Sequence, residues 1–120
     1  MRIVIDLDGV LCPVKKPHES YADLPVLPGA SDRLRELRAA GHVVIIQTAR
    51  QMATCEGNIG KIMQRVGLIT LEWLARHGIE YDEIHFGKPN GHLYIDDRAL
   101  RFEGWDRLTT EVLDRAARER

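Results

Sequence analysis

Residues 3–10 read Ile-Val-Ile-Asp-Leu-Asp-Gly-Val. Three β-branched apolar residues run straight into two carboxylates separated by one leucine. A short apolar run without polar alternation is how a strand buried on both faces of a parallel sheet reads. A carboxylate at the end of such a strand loses its hydration unless water or a cation replaces it. Asp6 and Asp8 therefore mark the rim of a sheet, and the rest of the chain must say what sits against them.

Three further runs have the same character: Val43–Ile46, Ile84–Phe86 and Leu93–Ile95. Helical periodicity separates the first three runs. Residues 30–40 put Leu34 and Leu37 on one face, with Arg33, Arg35, Glu36 and Arg38 mostly outside. Pro28, Gly29 and Ser31 are start signals there, and Gly41 is a stop. A longer segment, roughly 57–77, carries Ile59, Ile62, Met63, Val66, Ile69 and Trp73 at three-to-four spacing before Gly78. Leu68, Leu71 and Leu74 widen that stripe, which predicts a core helix with a second apolar face available to another subunit. Residues 109–118 predict a last helix starting near Thr109 or Thr110, packing Val112, Leu113 and Ala116, with Arg118-Glu119-Arg120 fraying. Trp73 and Trp105 read as core. Alternating strands and helices predict an α/β fold, a three-layer, Rossmann-like parallel sheet flanked by helices. One joint is tight. Only six residues, Gly87 to His92, separate the third run from the fourth, whereas a parallel crossover usually takes a dozen or more.

The chain has 120 residues, 44% apolar and 29% charged, which predicts one globular domain over 1–120. Seventeen Lys and Arg against eighteen Asp and Glu leave a formal charge of −1, which argues against a general nucleic-acid binder. No stretch approaches the 18 or so apolar residues of a membrane span, and the first residues turn acidic too soon for a signal peptide. Cys12 and Cys55 lack metal-motif spacing and are too few for a disulfide framework. They read as reduced thiols of a cytoplasmic protein.

Each apolar run is followed at once by a small polar cluster: Asp6 and Asp8, then Thr48-Ala49-Arg50, then Lys88-Pro89, then Asp96-Asp97. In an open parallel sheet, ligands bind beyond the carboxyl ends of the strands. Carboxylates without His or Cys at the same ends make a hard oxygen site suited to Mg²⁺ and poor for zinc. Lys88 and the Thr48 hydroxyl, with backbone N–H groups near Ala49 and Arg50, suit the oxygens of a phosphoryl group, and the Arg50 guanidinium can grip a phosphate or carboxylate. One aspartate can serve as nucleophile and a second as acid and base.

The order D-L-D-G-V, Thr48, Lys88, Asp96-Asp97 resembles the haloacid dehalogenase superfamily of aspartate-nucleophile phosphatases. The stretches K-K-P-H-E-S-Y-A-D-L-P, T-A-R-Q-M-A-T-C-E-G-N-I-G-K-I and G-K-P…Y-I-D-D-R-A are similar to its capsular polysaccharide biosynthesis branch. The resemblance implies a Mg²⁺-dependent phosphomonoesterase acting on a small phosphorylated metabolite, a sugar phosphate of surface-polysaccharide synthesis. It implies Asp6 as nucleophile and metal ligand, and Asp8 as general acid and base giving its backbone carbonyl to the metal. Thr48 and Lys88 would hold the phosphoryl group, Asp96 would complete the metal site, and Asp97 would ligate or support it. Forty positions separate Asp8 from Thr48, and forty separate Thr48 from Lys88. Those lengths are used up by the helices, the strands and a flap of about residues 10–26, so no cap domain fits. An open cleft then calls for a large substrate or for cover by a neighbouring subunit, in a homo-oligomer such as a dimer or tetramer. Lys15, Lys16 and Tyr21 lie on the flap, where contact with substrate and plain solvation are both open. The alternatives are a phosphatase of the same superfamily acting on a nucleotide or another metabolite, and a phospho-accepting signalling module of the receiver type, which uses similar residues; the early D-x-D and the late Asp96-Asp97 speak against the receiver.

Overall fold

The computed structural model describes residues 1–119. The chain forms two compact units, Met1–Asn90 and a second that begins at Gly91.

The first unit is built on a parallel sheet. Strands β1 (Arg2–Asp6), β2 (Val43–Thr48) and β3 (Glu83–Phe86) lie in the order β1-β2-β3. Val4 is opposite Ile45, Ile46 opposite Ile84, and Thr48 opposite Phe86. The central strand buries Val44, Ile45 and Ile46 in succession, as a strand covered on both faces must. At the edge, β1 is covered less evenly, and Val4 is 54% exposed. Helix α1 (Ala30–Ala39) turns Ala30, Leu34 and Leu37 inward, matching the predicted face, and its Ser31 hydroxyl donates to the carbonyl of His77 at 3.0 Å.

The long apolar segment is not one regular helix. The Asn58 side chain caps its start by accepting from the Lys61 N–H, α2 (Ile59–Ile62) comes next, and a π-helical turn (Met63–Gly67) leads into α3 (Leu68–Arg76). Such a turn carries an extra residue and rotates the helix beyond it. Ile62, Val66, Thr70, Trp73 and Leu74 are buried as a result, while Leu68 stands 70% exposed. Gly67 is buried in this turn, and the Met63 side chain folds over it, with Cε 2.7 Å from where a Cβ would stand.

Helix α3 also ties down the flap. The indole Nε1 of buried Trp73 donates to the Leu24 carbonyl at 2.7 Å, and Arg76 Nη2 donates to the Ala22 carbonyl at 2.6 Å. Both acceptors belong to or adjoin a 3-10 turn (Tyr21–Asp23) capped by Ser20.

The fourth predicted strand does not form. Among the described residues the sheet has three strands, and Leu93–Ile95 is irregular and exposed. Its composition suits a strand, but six residues after Phe86 leave no room for a crossover helix. In the second unit, Trp105 opens a 3-10 turn (Trp105–Arg107) and is buried, with Phe102 edge-on at 5.4 Å. Helix α4 (Thr110–Arg118) starts where expected, its N–H of Val112 capped by Thr109 Oγ1 at 3.3 Å. Val112, Leu113 and Ala116 are half-buried. The predicted fraying falls partly on Arg120, outside the described residues. No helix among the described residues is long and apolar enough to cross a membrane.

Candidate active site

The carboxyl ends of all three strands contribute to one cluster in the first unit. Asp6 is the last residue of β1, and its Oδ1 accepts the N–H of Leu7 at 2.9 Å. The chain then folds back on itself. Val10, Leu11 and Cys12 all direct their N–H groups at the Leu7 carbonyl, at 3.3, 2.9 and 3.3 Å, while Gly9 N–H donates to the Cys12 carbonyl at 2.7 Å. Ile5, Leu7, Leu11 and Cys12 are buried, and Asp6 and Asp8 between them remain partly exposed. Burial of the alternate residues thus anchors the turn while leaving both carboxylates accessible. Gly9 has a φ of 88°, a left-handed conformation that glycine takes at low cost.

Strand β2 ends at Thr48, which is buried. Its hydroxyl accepts from the Arg50 backbone N–H at 3.0 Å and donates to Asp8 Oδ2 at 3.5 Å. Beyond β3, the Lys88 N–H donates to the Thr48 carbonyl at 3.1 Å and continues the pairing of the two strands. Gly87 makes this possible, with a φ of 102° and a Cβ position that would sit 2.9 Å from Ile59 Cδ1. The Lys88 side chain reaches Asp6, Nζ to Oδ2, at 2.9 Å.

The second carboxylate has its own cation. Arg50 Nε donates to Asp8 Oδ1 and Oδ2 at 3.1 and 3.0 Å, and Nη2 donates to Oδ1 at 3.0 Å. Nη1 donates to Thr70 Oγ1 at 3.0 Å, and Nη2 also faces Cys12 Sγ at 3.6 Å. The Tyr21 ring lies 4.1 Å from the guanidinium carbon. Burial pushes the Cys12 thiol up to about 12, and the neighbouring Asp8 charge adds to the shift. The thiol therefore stays protonated and donates to Asp8 Oδ1 at 3.5 Å.

Of the residues singled out in the sequence, Asp6, Asp8, Thr48, Arg50 and Lys88 come together here. Ala49 is half-buried in the turn between Thr48 and Arg50. Lys15 lies 5.3 Å over the Tyr21 ring and donates to the Lys16 carbonyl. Asp96 and Asp97 lie in the second unit on an exposed loop, where Asp96 Oδ1 accepts the Arg98 N–H at 2.7 Å. Thr70 was not anticipated. Its only sequence signal is a lone hydroxyl among the apolar residues of the long segment. Gln51 was not anticipated either: its φ is 61°, and its Oε1 is buried with no hydrogen-bond partner among the described residues. Backbone strain of this kind collects at functional sites.

Among the described residues no group of three or more His, Cys, Asp or Glu gathers to hold a metal. The Asp6 carboxylate still suits Mg²⁺ in donor type, since that ion is commonly held by one or two carboxylates with water and substrate phosphate oxygens, while the Asp8 carboxylate is taken by Arg50.

No family model matches the chain, and no curated protein matches it either. Among solved structures, a target protein from Vibrio cholerae is 36% identical, with a TM-score of 0.86 over 98% of this chain and 97% of that one. The D,D-heptose 1,7-bisphosphate phosphatase of B. bronchiseptica, complexed with magnesium and phosphate, is 22% identical, with a TM-score of 0.49 over 76% of this chain and 51% of that one. That second likeness is too distant to carry a role to any residue.

Proposed function

The chain belongs to the family of the Vibrio cholerae protein, and we propose that it is a phosphomonoesterase of the haloacid dehalogenase type. The observation that carries this reading is the contact of Lys88 with Asp6 across 82 positions of sequence, with Asp8 two residues further on. A carboxylate at the end of β1 and a lysine just beyond β3, meeting across the end of β2, provide a nucleophile and a positive charge for phosphoryl oxygens, which is most of what phosphoryl transfer requires.

In this reading an Asp6 oxygen attacks phosphorus as the bond from phosphorus to the leaving oxygen breaks. The electron pair stays on that oxygen, which takes a proton from Asp8. A water then attacks the aspartyl phosphate and gives its proton to Asp8. The bond from phosphorus to Asp6 breaks, and inorganic phosphate leaves. Thr48 and Lys88 hold the phosphoryl oxygens, which must displace the Lys88 ammonium from Asp6 and turn the Thr48 hydroxyl proton away from Asp8. Asp6 and the Asp8 backbone carbonyl would hold Mg²⁺, which when bound supplies charge neutralisation for the phosphoryl oxygens.

The substrate reading, a small sugar phosphate of surface-polysaccharide synthesis, rests on the resemblance of the longer motifs. Homo-oligomerisation is supported by the exposed Ile59, Met63, Leu68 and Leu71 of the long helical segment, and a cytoplasmic setting by two buried free thiols. The test is a panel of phosphorylated sugars, sugar acids, nucleotides and an aryl phosphate, assayed with Mg²⁺. Asp6→Asn and a chelator should each abolish phosphate release. Substantial turnover by purified Asp6→Asn would sink the nucleophile assignment.

A further inference from the structure

We infer that Arg50 is a positioning residue for Asp8, not a ligand of the substrate, and that Thr70 and Tyr21 hold it to that task. This rests on the phosphatase reading. An arginine that grips a substrate phosphate must present N–H groups to the cleft. The Arg50 side chain is 1% exposed, while Asp8 keeps 25%. Nε and Nη2 are directed at the two Asp8 oxygens, Nη1 at Thr70, and the Tyr21 ring lies against the guanidinium carbon. The backbone N–H of Arg50 is bound as well, to Thr48 Oγ1.

Seen from Asp8, both oxygens are held. Oδ1 takes Arg50 Nε, Arg50 Nη2 and the Cys12 thiol, and Oδ2 takes Arg50 Nε and the Thr48 hydroxyl. A carboxylate gripped in this way cannot swing about its own bonds. The clasp draws on the turn after β1, the end of β2, helix α3 and the flap, so four segments must be in place before Asp8 is. Burying an ion pair costs desolvation energy that a packed apolar pair would not. What the pair supplies in return is a fixed direction for the Asp8 carboxyl group, whose Oδ2 gives up one of these contacts to carry the proton it passes to the leaving oxygen.

The test is a series of phenyl phosphates of graded leaving-group acidity, assayed with the unaltered chain, Arg50→Lys and Thr70→Val. The lysine keeps the charge and loses the fork. The valine keeps Arg50 and releases one of its nitrogens, so a folded variant remains if the lysine fails to fold. An acidic phenol leaves without a proton, whereas a weakly acidic one needs it from Asp8. The loss in kcat/KM, which reports the step in which the phenol leaves, should therefore grow from a few-fold at the acidic end to about 100-fold at the other, the scale of a misplaced catalytic group. A uniform loss along the series with a raised KM would place Arg50 on the substrate phosphate and overturn the inference alone. No turnover by the unaltered chain would overturn the phosphatase reading, and this inference with it.

Discussion

Replacing Thr70 by valine isolates one hydrogen bond at the site. The two side chains have nearly the same shape, so no cavity opens, and both have similar helix propensity. What disappears is the acceptor for Arg50 Nη1, 3.0 Å away at a position that is 0% exposed. Hydrogen bonds to charged groups contribute about 1.5–3 kcal/mol, and water cannot replace this one. A methyl in place of the hydroxyl returns up to about 0.8 kcal/mol. The net cost is about 1–2 kcal/mol, a fall in Tm of about 4–8 °C for a domain of this size. Urea unfolding followed by circular dichroism measures it as a lower midpoint at unchanged slope. The sign of the effect should reverse once the donor is gone. In an Asp8→Asn, Arg50→Met background the Thr70 hydroxyl has lost its donor, so the same valine should be neutral or stabilising. An equal cost in both backgrounds, or less than about 0.5 kcal/mol in the first, would refute this account of the Arg50–Thr70 contact.

Gly87→Ala meets chiefly a left-handed backbone, with a lesser collision against the movable tip of Ile59, Cδ1, at 2.9 Å. It should cost about 1–3 kcal/mol and reduce turnover by displacing Lys88. Adding Ile59→Ala relieves the collision but not the backbone, so urea midpoints should recover only in part; full recovery would refute the backbone strain. The Cys12 thiol predicts alkaline sensitivity. Its ordinary value of 9.0 is raised to about 12 in the folded chain. Below pH 9 both states keep the proton and stability is unaffected. Above it the unfolded chain loses the proton first, so stability falls by up to about 1.4 kcal/mol per pH unit. Cys12→Ala should flatten stability between pH 9 and 11, and an identical slope in the variant would rule the thiol out.

The three strands could be read from the chain because β-branched residues with no polar alternation have few other places to go. The same pattern misled at Leu93–Ile95, since composition is local whereas strand addition depends on the length of the preceding link. The helical segment was recognisable in extent but not in phase. Ile59 to Leu74 is apolar at too many positions to reveal which face is buried, and the π-helical turn at Met63–Gly67 changes that face midway. At the site, Asp6, Asp8, Thr48 and Lys88 were legible because each closely trails an apolar run. Arg50 was legible as a residue of the site but not in its partners. Its acceptor Thr70 lies 20 positions on in a helix, and nothing in a sequence marks one threonine as the buried one.

The bonds from Trp73 to Leu24 and from Arg76 to Ala22 also decide where this chain can grow. They divide the flap into a stretch before Ser20 whose length is unconstrained by α3, and a stretch after it whose register is fixed. Residues added between Pro13 and Ser20 would lengthen the rim and leave both bonds intact. Residues added after Tyr21 would pull the Leu24 carbonyl from the indole and strip the buried nitrogen of its acceptor. Any lid acquired by this scaffold, in evolution or by design, is therefore most easily accommodated on the first side of that boundary.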